Sequence, residues 1–239
     1  MVDELLSAWF AENGRNLPWR KTRDPYAILV SELMLQQTQV ERVIPRWHAW
    51  LERWPTAEAL ATASPADAIR AWQGLGYNRR ALALHRAACV IHERGWPDDL
   101  TELPGVGRYT AAAVSNFALG EAVLPEDVNV RRVQARTGHA FRPEHAAALM
   151  DLGATTCLAR VPRCGACPLA GECPSRGRRY EPSRKQSPFE GSFRQRRAAV
   201  LRLVAEAPRR LDELDGEAVS ALSRDGLVHV DAGLVALPA

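Results

Sequence analysis

Lysine is almost absent from this chain. Of its 31 basic residues only Lys21 and Lys185 carry an amine. The positive charge is therefore nearly all guanidinium, a planar fork that grips phosphate and keeps its proton at neutral pH. A mechanism that needs a desolvated lysine nucleophile has no candidate between Lys21 and Lys185. Long apolar runs are missing as well: nothing approaches the roughly 18 residues that cross a bilayer. A hydrophobic fraction of 46% with 25% charged residues is ordinary for a globular protein. The start, Met1-Val2-Asp3-Glu4, is acidic where a secretory signal is basic and then apolar, so a cytoplasmic location is the expectation. Five cysteines in such a chain point to metal binding or inert core thiols, not to disulfides. The 239 residues suffice for one or two domains with a sizeable core. A net charge of +3 argues only weakly for nucleic acid; where the arginines fall says more.

What is present is helix after helix. Val2 to Asn13 places Leu5, Leu6, Trp9 and Phe10 on one face and ends at Gly14. Asp24-Pro25 supplies a cap and a first-turn proline for a helix through Ile28 to Thr38, with Gln36, Gln37 and Thr38 at its exposed end. Val40 to Trp54 repeats apolar residues at helical spacing, with Trp47, Trp50 and Trp54 as core, and Thr56 and Ser64-Pro65 cap two shorter helices. Gly74-Leu75-Gly76-Tyr77 is a glycine-rich turn before a helix from Asn78 to Glu93, decorated by Arg79, Arg80 and Arg86, with Cys89 on its apolar side as an inert thiol.

The organising stretch is Leu103-Pro104-Gly105-Val106-Gly107, directly before an alanine-rich helical run from Tyr109 to Ala118. Two glycines two residues apart let the backbone bend sharply between helices. The bend leaves the first amides of the second helix facing outward, where they and the positive dipole end suit a phosphate. Twenty residues after Gly107 comes Asp127, before a further helical pattern with Val130 and Val133. Elsewhere Glu32 sits within Ile28-Leu29-Val30-Ser31-Glu32-Leu33-Met34-Leu35. Burial among such neighbours raises a carboxyl's pKa and suits a general acid, although a solvated glutamate, or one paired with an arginine such as Arg20, fits the residues equally well. Cys157, Cys164, Cys167 and Cys173 are spaced C-x6-C-x2-C-x5-C, a set of thiolates open to zinc or to an iron-sulfur cluster.

On LPGVG, the downstream Asp127, the segment Ser31 to Thr38 and the cysteine spacing, the chain resembles the helix-hairpin-helix DNA glycosylases of the endonuclease III superfamily, and within it the MutY-type adenine glycosylases. The resemblance covers about Leu17 to Cys173. It implies an all-α, two-lobed fold with a 4Fe-4S cluster loop held by the four cysteines. It implies a six-helix lobe at about 24–130, and a second lobe from residues 1–23 and 131–175. It also implies removal of adenine mispaired with 8-oxoguanine or guanine from double-stranded DNA, with Glu32 protonating the leaving base and Asp127 stabilising the cationic sugar, a pair of roles that glycoside hydrolysis divides between two carboxylates. Tyr109 and Asn129 would assist around the sugar. Arg20, Gln36, Gln37, Thr38, Tyr77, Gly105, Gly107 and Arg108 would bind DNA, Tyr77 as the aromatic pushed into the base stack, which helps meet the cost of flipping a base. Arg160 and Arg163, between the first two cysteines, would face a phosphate.

Three departures accompany the likeness. The strand-cleaving branch has a lysine where this chain has Tyr109, so an abasic site without strong lyase activity is the expected product. Asn78 replaces the second tyrosine of the family's GLGYY turn. Asp127 and Cys157 stand only 30 positions apart, shorter than usual. Beyond the cysteines, 176–197 reads as a basic, DNA-tracking linker. The last segment, 198–239, reads as a small winged-helix-like module with a hairpin at Asp231-Ala232-Gly233. A monomer without membrane contact is expected. The alternatives are a glycosylase for thymine or uracil opposite guanine, and a DNA-binding iron-sulfur protein without activity.

Overall fold

The computed structural model describes residues 1–181 and 188–239; Lys185 and the middle of the expected basic linker lie outside the described residues. The chain forms two compact units, one from residues 1–28 and 107–185, the other from residues 29–106 and 186–239. Helix α1 (Val2–Asn13) opens the first unit. Helix α2 (Pro25–Leu35) begins there, with the Asp24 carboxylate accepting from the Tyr26 amide at 2.9 Å, and continues into the second unit. There α3 (Val40–Arg53), α4 (Ala57–Ala61), α5 (Pro65–Ala71) and α6 (Arg79–Arg94) follow. The chain returns to the first unit with α7 (Arg108–Val114), α8 (Val128–Thr137) and α9 (Ala146–Thr155). The C-terminal stretch adds α10 (Phe193–Glu206), strand β1 (Arg209–Arg210), α11 (Gly216–Arg224), β2 (His229–Asp231) and β3 (Leu234–Ala236) to the second unit. No helix among the described residues is long and apolar enough to cross a membrane.

The expected caps are in place. Thr56 accepts from the Ala59 amide and Ser64 from the Asp67 amide, each replacing a hydrogen bond that the helix start lacks. Trp47, Trp50 and Trp54 are buried, and Trp50 meets Trp54 and Trp72 edge to face at 4.7 and 5.4 Å, a geometry the ring quadrupole favours. Arg80 departs from expectation. It does not decorate the surface of α6 but is 8% exposed.

The first unit is held by Leu6 of α1, Val130 and Val133 of α8, and Leu149 and Leu152 of α9. Val130 and Val133 draw α8 onto α1 and α9, which is why the stretch from Gly107 onward, Asp127 included, belongs to this unit. The sequence boundaries near residues 24 and 130 therefore differ from those of the fold.

The C-terminal stretch also differs from its expected outline. Helix α10 begins at Phe193, inside the stretch read as linker, and the strands pair antiparallel in the order β1-β3-β2. The hairpin falls where expected, with Ala232 and Gly233 at φ 46° and 77°, the left-handed region that suits a tight two-residue turn. Val200, Leu201, Val219, Leu222 and Val235 share one core with Ala66, Ile69 and Leu82 of α5 and α6. Fully burying each large aliphatic contributes about 1.5–3 kcal/mol. Asp225 pairs with both Arg79 and Arg197. The C-terminal module is part of the second unit's core, continuous with α5 and α6.

Candidate functional site

In the first unit, Asp127 caps α8. Its carboxylate accepts from the Asn129 amide at 2.8 Å, the Val130 amide at 2.7 Å and the Asn129 side-chain amide at 2.8 Å. These donors and the helix dipole hold a negative charge at one place. The network goes further. Arg132 donates to Asn129 Oδ1 at 2.6 Å, to the Gly153 carbonyl at 2.7 Å and to the Cys157 carbonyl at 2.8 Å. A chain of hydrogen bonds thus joins Asp127, through Asn129 and Arg132, to the backbone of the first cysteine. Burial lowers the pKa of the Arg132 guanidinium, against which Cys157 and Asp127 act. Gly153 makes this approach possible, because a Cβ there would lie 2.5 Å from the Asn129 Cβ. Arg132 and Gly153 carry no local sequence signal that points to this network, whereas Asp127 stands at a visible helix start.

The cysteines line one cavity, with Arg136 and Leu169 among its other walls. Burial pushes the Cys167 thiol up, and Cys157, Cys173 and Cys164 add to the rise. Arg136, 7% exposed, donates to the Cys157 sulfur at 3.4 Å and to the carbonyls of Leu158 and Ala159. The Tyr180 ring covers its guanidinium at 3.9 Å. All four of these cysteines are free thiols on the cavity wall, the soft donor set that a cysteine-held metal group uses, and among the described residues no three ligating side chains are grouped to hold an ion. Arg160 and Arg163 are exposed on the loop between the first two cysteines.

Arg20 is placed differently from expectation. It meets both oxygens of Asp151 at 2.8 Å and donates to the Arg15 carbonyl. Asp151 is fully buried and also accepts from the Arg15 side chain and amide. With these donors directed at Asp151 and the Arg15 carbonyl, Arg20 braces the N-terminal segment against α9.

In the second unit, Glu32 is 5% exposed on α2, as its apolar neighbours imply. Gln36 and Thr38 are half-buried and Gln37 is exposed with φ 57°. The Thr38 hydroxyl donates to the Leu75 carbonyl at 3.2 Å, a structural contact that links the end of α2 to the glycine-rich turn. At that turn Tyr77 is 48% exposed with φ 47°. Gly105 at the bend has φ 79°, and a Cβ there would lie 2.6 Å from the Ala83 Cβ, so both conformation and space demand glycine. Gly107, the first residue of the other unit, is extended and supplies no side-chain cap to α7. Arg108 beyond it is exposed and Tyr109 half-buried.

Residues 30–151 match the model of the HhH-GPD superfamily of base excision DNA repair proteins. An adenine DNA glycosylase of Mycobacterium tuberculosis is 45% identical over 253 residues, spanning 89% of this chain and 82% of that one. A protein of the same description from Mycolicibacterium smegmatis is 43% identical over 85% of this chain and 80% of its own. Among solved structures, a thermostable thymine-DNA glycosylase superposes with a TM-score of 0.64 and 27% identity over 73% of this chain and 94% of that one.

Proposed function

Because this chain belongs to the HhH-GPD superfamily of base excision DNA repair proteins, we propose that it is an adenine DNA glycosylase that hydrolyses the N-glycosidic bond of an adenine mispaired with 8-oxoguanine or guanine. The observation that carries this reading is the 45% identity, over 89% of the chain, to a relative named an adenine DNA glycosylase. The chemistry assigns two carboxylates to one extruded nucleotide. Glu32, buried on α2, donates a proton to the departing base. Asp127, fixed by three N–H donors, stays anionic and stabilises the sugar cation. Asn129 holds Asp127 in place, and Tyr109 works beside the sugar. Gln36, Gln37, Gly105, Gly107 and Arg108 contact the duplex, and Tyr77 enters the stack. Cys157, Cys164, Cys167 and Cys173 would hold a 4Fe-4S cluster. A cluster held there would keep the loop carrying Arg160 and Arg163 rigid, and the hydrolysis would need no redox step from it.

Base release from duplexes with adenine opposite 8-oxoguanine, guanine or thymine tests the reading, with thymine and uracil opposite guanine as controls. Adenine opposite 8-oxoguanine is the expected best substrate. The similarity to the thymine-DNA glycosylase structure favours a second reading, and release of thymine with adenine retained would establish it. With Tyr109 where a Schiff-base lysine would stand, strand breaks are expected only after alkali, and borohydride should trap no protein-DNA adduct.

Gly153→Ala is expected to slow adenine release by about 10²-fold, the scale of an ångström-sized misplacement. The Cβ would push α9 from Asn129 and loosen its hold on Asp127. Overpacking of this kind costs about 1–3 kcal/mol of stability, so single-turnover kinetics at a temperature where the variant is folded make the measurement. An unchanged rate would show that the contact of α8 with α9 does not govern Asp127.

A further inference from the structure

In the sequence Arg80 is one of several arginines on a helix, and the function proposed above does not use it. Yet it is a buried cation with a dense set of acceptors. Its Nη1 donates to the carbonyls of Leu33 at 2.5 Å, Met34 at 3.2 Å and Gln36 at 2.7 Å. Its Nη2 donates to the Gly76 carbonyl at 2.9 Å and the Thr38 hydroxyl at 3.3 Å, and its Nε to the Tyr77 carbonyl at 3.3 Å. Trp72 and Tyr77 rings each lie 5.4 Å from its guanidinium carbon, and the Trp72 indole donates to the same Gly76 carbonyl at 3.2 Å.

These acceptors belong to two segments. Leu33, Met34 and Gln36 carry carbonyls at the C-terminal end of α2, where the helix leaves oxygens without amide partners and its dipole is negative. Gly76 and Tyr77 form the apex of the glycine-rich turn. Each segment contains a non-glycine residue in the left-handed region, Gln37 at φ 57° and Tyr77 at φ 47°. Such a conformation costs on the order of 1–3 kcal/mol and persists only where the surroundings enforce it. Burial lowers the Arg80 pKa to about 10, which still leaves the group charged at neutral pH. A half-exposed tyrosine ring on a strained turn of a DNA repair protein is suited to entering a base stack.

We propose that Arg80 is the positioning residue of this wedge: its guanidinium locks the end of α2 and the Gly76-Tyr77 turn into one unit, so that the Tyr77 ring is preset for insertion into the duplex before DNA binds. Presetting removes an ordering cost that would otherwise oppose base flipping. The proposal rests on the glycosylase reading for its kinetic test, but not for its optical one.

The experiment is a double-mutant cycle of Arg80→Lys and Tyr77→Ala in the full chain. It uses an adenine:8-oxoguanine duplex with 2-aminopurine, which brightens on unstacking, beside the adenine. A lysine keeps the charge but cannot span six acceptors. Arg80→Lys is expected to slow single-turnover adenine release about tenfold alone and to change the Tyr77→Ala rate by less than about twofold, since a residue acting through another shows coupling instead of additivity. Brightening on binding should fall in either single variant and no further in the double. Equal slowing in both backgrounds would overturn the proposal, because it would mark a general packing defect. So would unchanged brightening in Arg80→Lys. If the unmodified protein brightens the probe but releases no adenine, the functional reading falls while the optical cycle still decides the role of Arg80. Should Arg80→Lys fail to fold, Thr38→Val, which removes one acceptor, is scored by the same criteria.

Discussion

Glu32→Gln is expected to slow single-turnover release of adenine by about 10²–10⁴-fold, the contribution of a positioned general acid, with duplex affinity unchanged within about threefold. Glutamine nearly matches glutamate in shape and cannot donate a carboxylic proton to a leaving base. Asp127→Asn is the companion measurement and separates chemistry from folding. Asparagine caps a helix about as well as aspartate, so α8 should retain the bonds from the Asn129 and Val130 amides. What disappears is the charge proposed to stabilise the sugar cation, and one side-chain amide would then oppose that of Asn129. A loss of rate with a thermal midpoint near that of the parent assigns the defect to the reaction. Rates within about threefold of the parent for both variants would remove the two-carboxylate mechanism, since either role contributes far more than that.

The largest effect on stability is expected at Asp151. It is fully buried and holds two arginines at 2.7–2.8 Å. Burial by itself would raise its pKa, but hydrogen bonds from Arg20 and from the Arg15 amide outweigh that and keep the carboxyl below its usual range. A carboxyl depressed in the folded state contributes stability that is fully present above the unfolded value of about 3.9 and is lost as pH falls through the lower folded value. Acid unfolding should therefore show a contribution in that window which Asp151→Ala lacks. Removing one partner of a buried pair costs about 3–5 kcal/mol. Because Arg15 and Arg20 reach solvent, the low end applies: about 3 kcal/mol, or a fall of roughly 6–12 °C in thermal midpoint. A shift under about 2 °C would show that the arginines find water as good a partner.

The residues that the sequence made legible share one property: local pattern and chemistry coincide. Asp127 precedes a helical repeat and caps it. Glu32 lies in an apolar run and is buried. Gly105 sits in a bend whose geometry demands glycine. The tryptophans of α3 follow helical spacing into the core. Arginines resisted this reading. Arg80 and Arg136 look like surface charges by residue type, although each stands in register with buried apolar residues of its helix, Leu84, Ala87 and Ile91 after Arg80, Val133 before Arg136. That register was a usable signal. Nothing similar marked Arg132, Gly153 or Asp151, because their partners lie 21, 24 and more than 130 positions away.

By itself the sequence determined that the chain is built from capped amphipathic helices, that a glycine bend and a carboxylate sit at a fixed separation, and that four thiols occur at a set spacing. These are properties of neighbours along the backbone, governed by conformational preference and hydrophobic period. Tertiary structure alone decided which cations turn inward, which glycine admits a neighbouring helix, and that the C-terminal module is packed as core. Those outcomes depend on packing between distant segments and on the cost of leaving a buried polar group without partners.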